Sequence, residues 1–384
     1  MLTENINFIN FKSKKNIKFI KSKLNFILKQ NDNVIKSLRS SYKDSYNKQI
    51  FKIFRKRSDF RIIGMGGSSL GAQAIYDFLR NKIKKNFYFI DNLKPKNHEI
   101  LKKSYNNLII SKSGNTIETI TNSNVFIKRA DKNLFITENK QSYLKKLAKK
   151  LQSEVVDHNN YIGGRYSVLS EVGMLPAELM GFDPKKFRQL NNLIKKKSFL
   201  NGLMVNVSAT LSFLQKKKFN SVIINYDESS TNLFNWYQQL LAESLGKKQK
   251  GILPIVSNMP KDNHSVMQLY LDGFKNNFFT FFFVKENNST KIKSREILSD
   301  FAYIKNKNVN QIMYAQKRAT EKVFKKKNIP FRSFEIKKKN EKTLGEMFCF
   351  FILETILIGK CVNLNPYDQP AVELIKKETK KILT

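Results

Sequence analysis

Histidine and cysteine are scarce here, and that scarcity narrows the chemistry open to the chain. Its 384 residues include three histidines and two cysteines. Cys349 and Cys361 are too few for a disulfide framework and lie in apolar, helical-looking sequence, which fits a reducing, cytoplasmic setting. No His/Cys/Asp cluster has metal-ligand spacing, so neither a metal nor another cofactor is expected. Long apolar runs are missing too. The most apolar stretch, Leu344 to Ile358, contains Glu346 and Glu354 and falls short of the ~20 residues that cross a bilayer. It reads as a buried helix, and no membrane partner is expected. The opening residues mix Lys with Ile, Phe and Asn, without the apolar block and cleavage site of a secretory signal.

Acidic residues are the other deficit: 31 Asp+Glu stand against 70 Lys+Arg, a formal net charge of +39. The excess is spread along the chain in runs such as Lys195-Lys196-Lys197, Lys216-Lys217-Lys218 and Lys325-Lys326-Lys327. Spread of this kind describes a Lys-rich surface rather than a dedicated nucleic-acid face, so no specific nucleic acid is expected. Non-specific binding to polyanions at low salt needs only surface cations. With 41% hydrophobic residues, the chain is not a disordered one.

Apolar β-type runs alternate with helical patterns, which predicts an α/β fold with mainly parallel sheets. One unit runs from Phe60-Arg61-Ile62-Ile63 through a glycine cluster into a helix over Ala72 to Arg80. A second runs from Leu108-Ile109-Ile110 into a helix beginning near Thr116. After Gly181 the pattern restarts, with a strand at Ser221 to Tyr226 and a helix from Thr231 to Leu245. The expected organisation is an N-terminal helical segment over 1–45, α/β domains over 46–185 and 186–360, and a C-terminal helical segment over 361–384.

Two loops have the composition of anion sites. Gly64-Met65-Gly66-Gly67-Ser68-Ser69-Leu70-Gly71 joins a strand to a helix, where glycine lets backbone N–H groups approach an anion. It matches neither the dinucleotide fingerprint nor the P-loop, and a tight turn explains it equally well. Ser111-Lys112-Ser113-Gly114-Asn115-Thr116 again follows an apolar strand and opens a helix. Helix capping is the bland explanation, but four small polar residues around one glycine exceed what a cap requires.

At these loops and three further segments the chain resembles the glucose-6-phosphate isomerase family in its shorter bacterial form. The resemblance spans roughly Ile62 to Lys377. Ser111 through Thr119 looks like the family's phosphate loop, and Gly66-Gly67-Ser68 like its first sugar-binding turn. Gly163-Gly164-Arg165-Tyr166-Ser167 is similar to one family signature, and Gly359 through Lys376, with Tyr367-Asp368-Gln369-Pro370, to the other. Gln239 through Lys247 resembles the helix that bears the catalytic base. Two departures stand out: Pro370 replaces a small residue, and the histidine of longer members falls at Leu271, which leaves His264 as the counterpart in shorter ones.

The resemblance implies two sugar-isomerase-type three-layer α/β/α domains followed by C-terminal helices. It also implies reversible interconversion of glucose 6-phosphate and fructose 6-phosphate, in glycolysis and gluconeogenesis, by a homodimer. Glu243 is the implied proton shuttle between C1 and C2, and Arg165 the cation for the developing enediolate. Lys376 and His264 are the implied ring-opening pair. Gly67, Ser68, Ser111, Lys112 through its backbone, Ser113 and Thr116 are the implied phosphate and sugar contacts, with Gln239 and Gln369 near the base. Without the motif, Glu243 reads as a surface glutamate paired with Lys247, Arg165 as a surface salt-bridge partner, and Lys376 as one solvated lysine of many. The rival functions are a dual phosphoglucose/phosphomannose isomerase and a non-catalytic sugar-phosphate sensor.

Overall fold

The structure, a computed structural model, describes residues 1–12, 15–54, 58–95, 104–128 and 130–384. Among the described residues ten strands form two sheets: β1 (Ile6–Ile9), β2 (Asp59–Gly64), β3 (Asn86–Ile90), β4 (Asn106–Ile110), β5 (Lys132–Thr137), β6 (Glu154–Asp157), β7 (Asn220–Asn225), β8 (Leu253–Asn258), β9 (Asn277–Val284) and β10 (Phe331–Ile336). The first sheet has the order β3-β2-β4-β5-β6 and is parallel throughout. The second has the order β1-β10-β9-β7-β8, with only β1 antiparallel. A mainly parallel α/β architecture with C-terminal helices is therefore present. Residues Ile6–Ile9, inside the segment expected to be helical, instead extend the second sheet at its edge, and the helix Ile17–Gln30 follows.

Alternation along each strand divides its side chains between two helical layers. In the first sheet Ile62, Leu108 and Ile136 face a core that includes Ile75 and Phe78, whereas Ile63, Ile109 and Phe135 pack with Phe126, Leu144 and Ala148. In the second, Ile223, Phe282 and Phe334 face the same large core, while Val222, Ile224, Phe279 and Phe281 pack around Phe324. The helices Thr231–Leu245 and Glu341–Cys361 contribute to the shared core, so both sheets brace the elements between them.

Every residue from Thr343 to Gly359 is buried, which makes this helix an axle rather than a membrane span. Among the described residues no helix is long and apolar enough to cross a membrane. The two buried carboxylates of the helix Glu341–Cys361 are both satisfied. Thr3 donates to Glu346 at 2.6 Å, and Glu354 pairs with buried Arg332 and accepts from Tyr237 Oη at 2.9 Å. Removing one partner of such a pair strands a buried charge at a cost of about 3–5 kcal/mol, so Arg332 and Glu354 have a structural role.

Candidate active site

The strand order reverses between β2 and β4: from β2 the chain goes to β3 on one side, then returns to β4 on the other. In open α/β sheets ligands bind outside the carboxyl ends of the strands at such a reversal. Gly64 and Ile110, the last residues of β2 and β4, stand in register. The glycine turn and the Ser111–Thr116 loop consequently emerge side by side.

The capping explanation of these loops does not describe what their hydroxyls do. Thr116 makes no side-chain cap on the helix Ile117–Phe126, and its Oγ1 lies 2.9 Å from Ser111 Oγ. Ser69 likewise leaves the helix Leu70–Phe78 uncapped and donates to the Gly66 carbonyl at 3.2 Å. Two helix N-termini thus meet at the carboxyl edge without a side-chain cap, a setting that favours an anion. The carbonyls of Lys112 and Gly114 are taken by the amides of Glu138 and Leu144, each at 3.1 Å. The Lys112 ammonium donates to Asn160 O at 2.9 Å, which leaves its backbone as the group available to a ligand. Ser113 Oγ accepts from the Asn115 amide at 3.2 Å, and Ser68 and Ser113 are both partly exposed.

The glycine turn is also the point where distant segments touch. A Cβ on Gly67 would lie 2.1 Å from the carbonyl carbon of Gly164 and 2.5 Å from the amide nitrogen of Arg165. Gly66 has φ +52, and a Cβ there would meet Gln239 Nε2 at 2.7 Å. The first turn, the Gly163–Ser167 segment and the helix Thr231–Leu245 therefore close on one another only because these side chains are absent. Gly67→Ala is expected to destabilise the fold by about 1–3 kcal/mol, since backbone rather than a flexible side chain would have to yield. A denaturation midpoint unchanged from wild type would contradict this.

Arg165 is the hub of the site. Its side chain is 1% exposed, and that of Glu243 is 32% exposed. Nη1 donates to Glu243 Oε2 at 3.2 Å and to Gln369 Oε1 at 2.6 Å. Nη2 donates to the carbonyls of Pro366 at 2.8 Å and Asp368 at 3.1 Å, and Nε donates to Ser244 Oγ at 2.8 Å. All five guanidinium N–H groups are engaged. The second Glu243 oxygen accepts from Gln239 Nε2 at 2.8 Å, while Gln239 Oε1 is buried without a partner. Trp236 Nε1 holds the Arg165 carbonyl at 3.1 Å. A carboxylate, a guanidinium and two amides, drawn from three chain segments, thus meet in one hydrogen-bonded cluster.

Comparison with known proteins shows the family. A sequence model described as "Phosphoglucose isomerase" matches residues 20–384. The chain belongs to the phosphoglucose isomerase family. A protein of Methanocaldococcus jannaschii named glucose-6-phosphate isomerase is 33% identical over 91% of this chain and 90% of its own length. One of the same name from Mycoplasmopsis pulmonis is 32% identical over 84% of this chain and 82% of its own. The crystal structure of a glucose-6-phosphate isomerase from Chlamydia trachomatis superposes with a TM-score of 0.76 at 18% identity, over 99% of this chain and 89% of that one, which speaks for the fold.

Two residues singled out by the family motifs stand apart from the others. Lys376 lies on the exposed helix Val372–Leu383, with its ammonium 2.6 Å from Glu373 in an i,i+3 pair. His264 ends the short turn Lys261–His264 and is exposed. Packing explains the first displacement, because that last helix has no buried residue and carries exposed Leu374, Ile375, Ile382 and Leu383. The surface pairing of Glu243 with Lys247 is not what the structure holds: Lys247 Nζ lies 2.5 Å from Asp368 Oδ1 instead. That bond holds the Asp368 carboxyl below the usual carboxylate range.

Sequence reasoning passed over Ser244, Tyr166 and Trp236, although two of them adjoin Glu243 and Arg165 within the family motifs. It also passed over His158, whose amide donates to the Thr137 carbonyl at the end of β5. His158 Nδ1 lies 2.9 Å from Asn159 O and 3.9 Å from Glu171 Oε1, and burial pushes its pKa down to about 4. His98 lies outside the described residues. Because the folded state disfavours a proton on His158, its contribution to stability is complete above pH ~6.5 and is lost as the pH falls toward about 4. The loss amounts to about 3 kcal/mol at ~1.4 kcal/mol per pH unit. Subtracting the pH–stability curve of His158→Gln from that of wild type is expected to isolate this slope. Parallel curves would contradict it.

Proposed function

We propose that the chain catalyses the reversible interconversion of glucose 6-phosphate and fructose 6-phosphate through an enediol, with Glu243 as the proton shuttle. The observation that carries the reading is the direct contact between the Arg165 guanidinium and the Glu243 carboxylate, beside an uncapped pair of helix N-termini. Isomerisation needs a proton moved between C1 and C2 while negative charge develops on oxygen. Glu243 takes that proton, and Arg165 compensates the charge. The two steps are coupled. As Glu243 becomes neutral it releases its hold on Nη1, and that donor turns to the new anion at the moment the anion forms.

The phosphate would rest against Ser68, Ser111, Ser113, Thr116, the Lys112 backbone and the turn at Gly67, away from the reacting carbons. Its binding energy is thereby converted into orientation. Gln239 and Gln369 hold sugar hydroxyls or the water beside the base. Lys376 and His264 open the ring once they reach the cleft, and a second copy of the chain is the natural route. Exposed apolar side chains on the Lys376 helix support a homodimer, because a row of this kind is covered in most proteins. Two free thiols, Cys349 buried and Cys361 half-buried, support a reducing, cytoplasmic setting: burial pushes Cys349 up to about 12 and Cys361 up to about 11. Apart from β1, which joins the second sheet from residues 6–9, the strand content of the two sheets supports the domain division 46–185 and 186–360.

Coupled assays of the purified protein with glucose 6-phosphate, fructose 6-phosphate and mannose 6-phosphate test the reading. Turnover of the first two with little of the third is expected. Equal turnover of mannose 6-phosphate would replace the substrate assignment with dual specificity. Absence of turnover with all three would favour a sensor.

A further inference from the structure

Four of the five Arg165 donors face Glu243, Gln369 or the carbonyls of residues 366 and 368; the fifth, on Nε, points into the protein. Its acceptor is Ser244, which is fully buried and adjoins Glu243 on the same helix. Ser244 Oγ also lies 2.8 Å from Tyr166 Oη, and Tyr166 Oη lies 3.0 Å from the Pro366 carbonyl. The same carbonyl accepts from Arg165 Nη2 at 2.8 Å.

The direction of every proton in this ring follows from chemistry. An arginine Nε–H can only donate and a carbonyl can only accept. Ser244 therefore accepts from Arg165 and gives its own proton to Tyr166, which gives its proton to Pro366. Burial, pushing the Tyr166 hydroxyl up to about 12, keeps it a donor. The loop Arg165–Ser244–Tyr166–Pro366–Arg165 closes with no donor spare. It ties the far edge of the guanidinium to the helix that carries Glu243 and to the segment that carries Gln369.

We propose that Ser244 and Tyr166 are positioning residues for the isomerase reaction: they touch no substrate but fix the plane and rotation of the Arg165 guanidinium relative to Glu243. The inference rests on the isomerase reading above. Its physical content is that a planar guanidinium free to turn about its Cδ–Nε bond would present Nη1 to the developing oxyanion only part of the time, and errors of about 1 Å at such a group cost up to about 10²-fold in rate.

A double-mutant cycle separates this role from simple stabilisation. Ser244→Ala is expected to lower kcat by about 10- to 100-fold while leaving KM within about 2-fold, because the phosphate anchors are untouched. In an Arg165→Lys background the same substitution is expected to change kcat by less than about 2-fold, since lysine has no Nε–H for Ser244 to hold. Tyr166→Phe, which opens the ring at its other side, is expected to lower kcat by about 3- to 10-fold, again without a matching change in KM. Equal losses in both Arg165 backgrounds, or a loss in KM alone, would overturn the proposal. A second readout needs no activity: the Arg165 Nε–H is expected to exchange slowly with solvent in the wild type and at least about 10-fold faster in Ser244→Ala. Unchanged exchange would also overturn it. A wild type lacking isomerase activity would overturn the parent reading instead, and the exchange measurement would then decide whether the ring exists.

Discussion

Glu243→Gln is expected to lower kcat by about 10³-fold or more, equivalent to about 4 kcal/mol of barrier, while fructose 6-phosphate binding stays within a few-fold of wild type. The substitution is nearly isosteric. Its one carbonyl oxygen can keep the bond from Arg165 Nη1, and its NH₂ can donate to Gln239 Oε1, unpartnered in the wild type, once the Gln239 amide flips, so the site should hold its shape. What it removes is the capacity to carry a proton between C1 and C2. An amide cannot take up a carbon-bound proton, and among the described residues no other carboxylate pairs with Arg165. Stopped-flow or steady-state kinetics, paired with a calorimetric binding measurement, separate the two effects. Near-wild-type turnover would remove Glu243 from the reaction. A comparable fall in binding would make it a ligand contact instead.

Arg165→Lys is expected to lower kcat by about 10²- to 10³-fold and to reduce thermal stability as well. Charge is conserved in this variant, so the loss reports geometry. A lysine ammonium has three donors on a flexible stem, whereas the guanidinium satisfies Ser244, Glu243, Gln369 and the carbonyls of Pro366 and Asp368 at once. With three donors for five acceptors, at least two of these bonds would be lost, at about 1.5–3 kcal/mol for each hydrogen bond to a charged group. Retention of more than about a tenth of wild-type kcat would show that a positive charge alone suffices and that the fork is not required.

The sequence made some parts of this molecule plain and hid others for identifiable reasons. The helix Thr231–Leu245 has a clear apolar period and ends at Gly246, and β9 is a nearly unbroken apolar run, as a strand buried on both faces tends to be. Three strands carried no such signal. β10 reads Phe-Arg-Ser-Phe-Glu-Ile, and Arg332 is tolerable in the core only because Glu354 meets it from a helix elsewhere in the chain. β3 is half-buried, and β1 is a short edge strand whose partner lies near the other end of the sequence. At the site, the residue types in the motifs identified Arg165, Glu243, Gln239 and Gln369 as a group. The backbone carbonyls of Pro366 and Asp368, which absorb two of the guanidinium's donors, have no signature in residue types. Lys376 shows the opposite failure. Its motif is plain, but an amphipathic helix without a buried residue in one chain has no packing to determine its place.

The central claim is proton transfer through an enediol, and its most direct test is isomerisation of fructose 6-phosphate in D₂O followed by proton NMR of the product. A proton resting on Glu243, whose side chain is 32% exposed, has access to solvent between abstraction and return. Over repeated turnovers the wild type is therefore expected to yield glucose 6-phosphate carrying deuterium at C2, and Glu243→Gln is expected to yield neither product nor label on the same timescale. Rapid conversion with no deuterium at C2 after many turnovers would contradict the account.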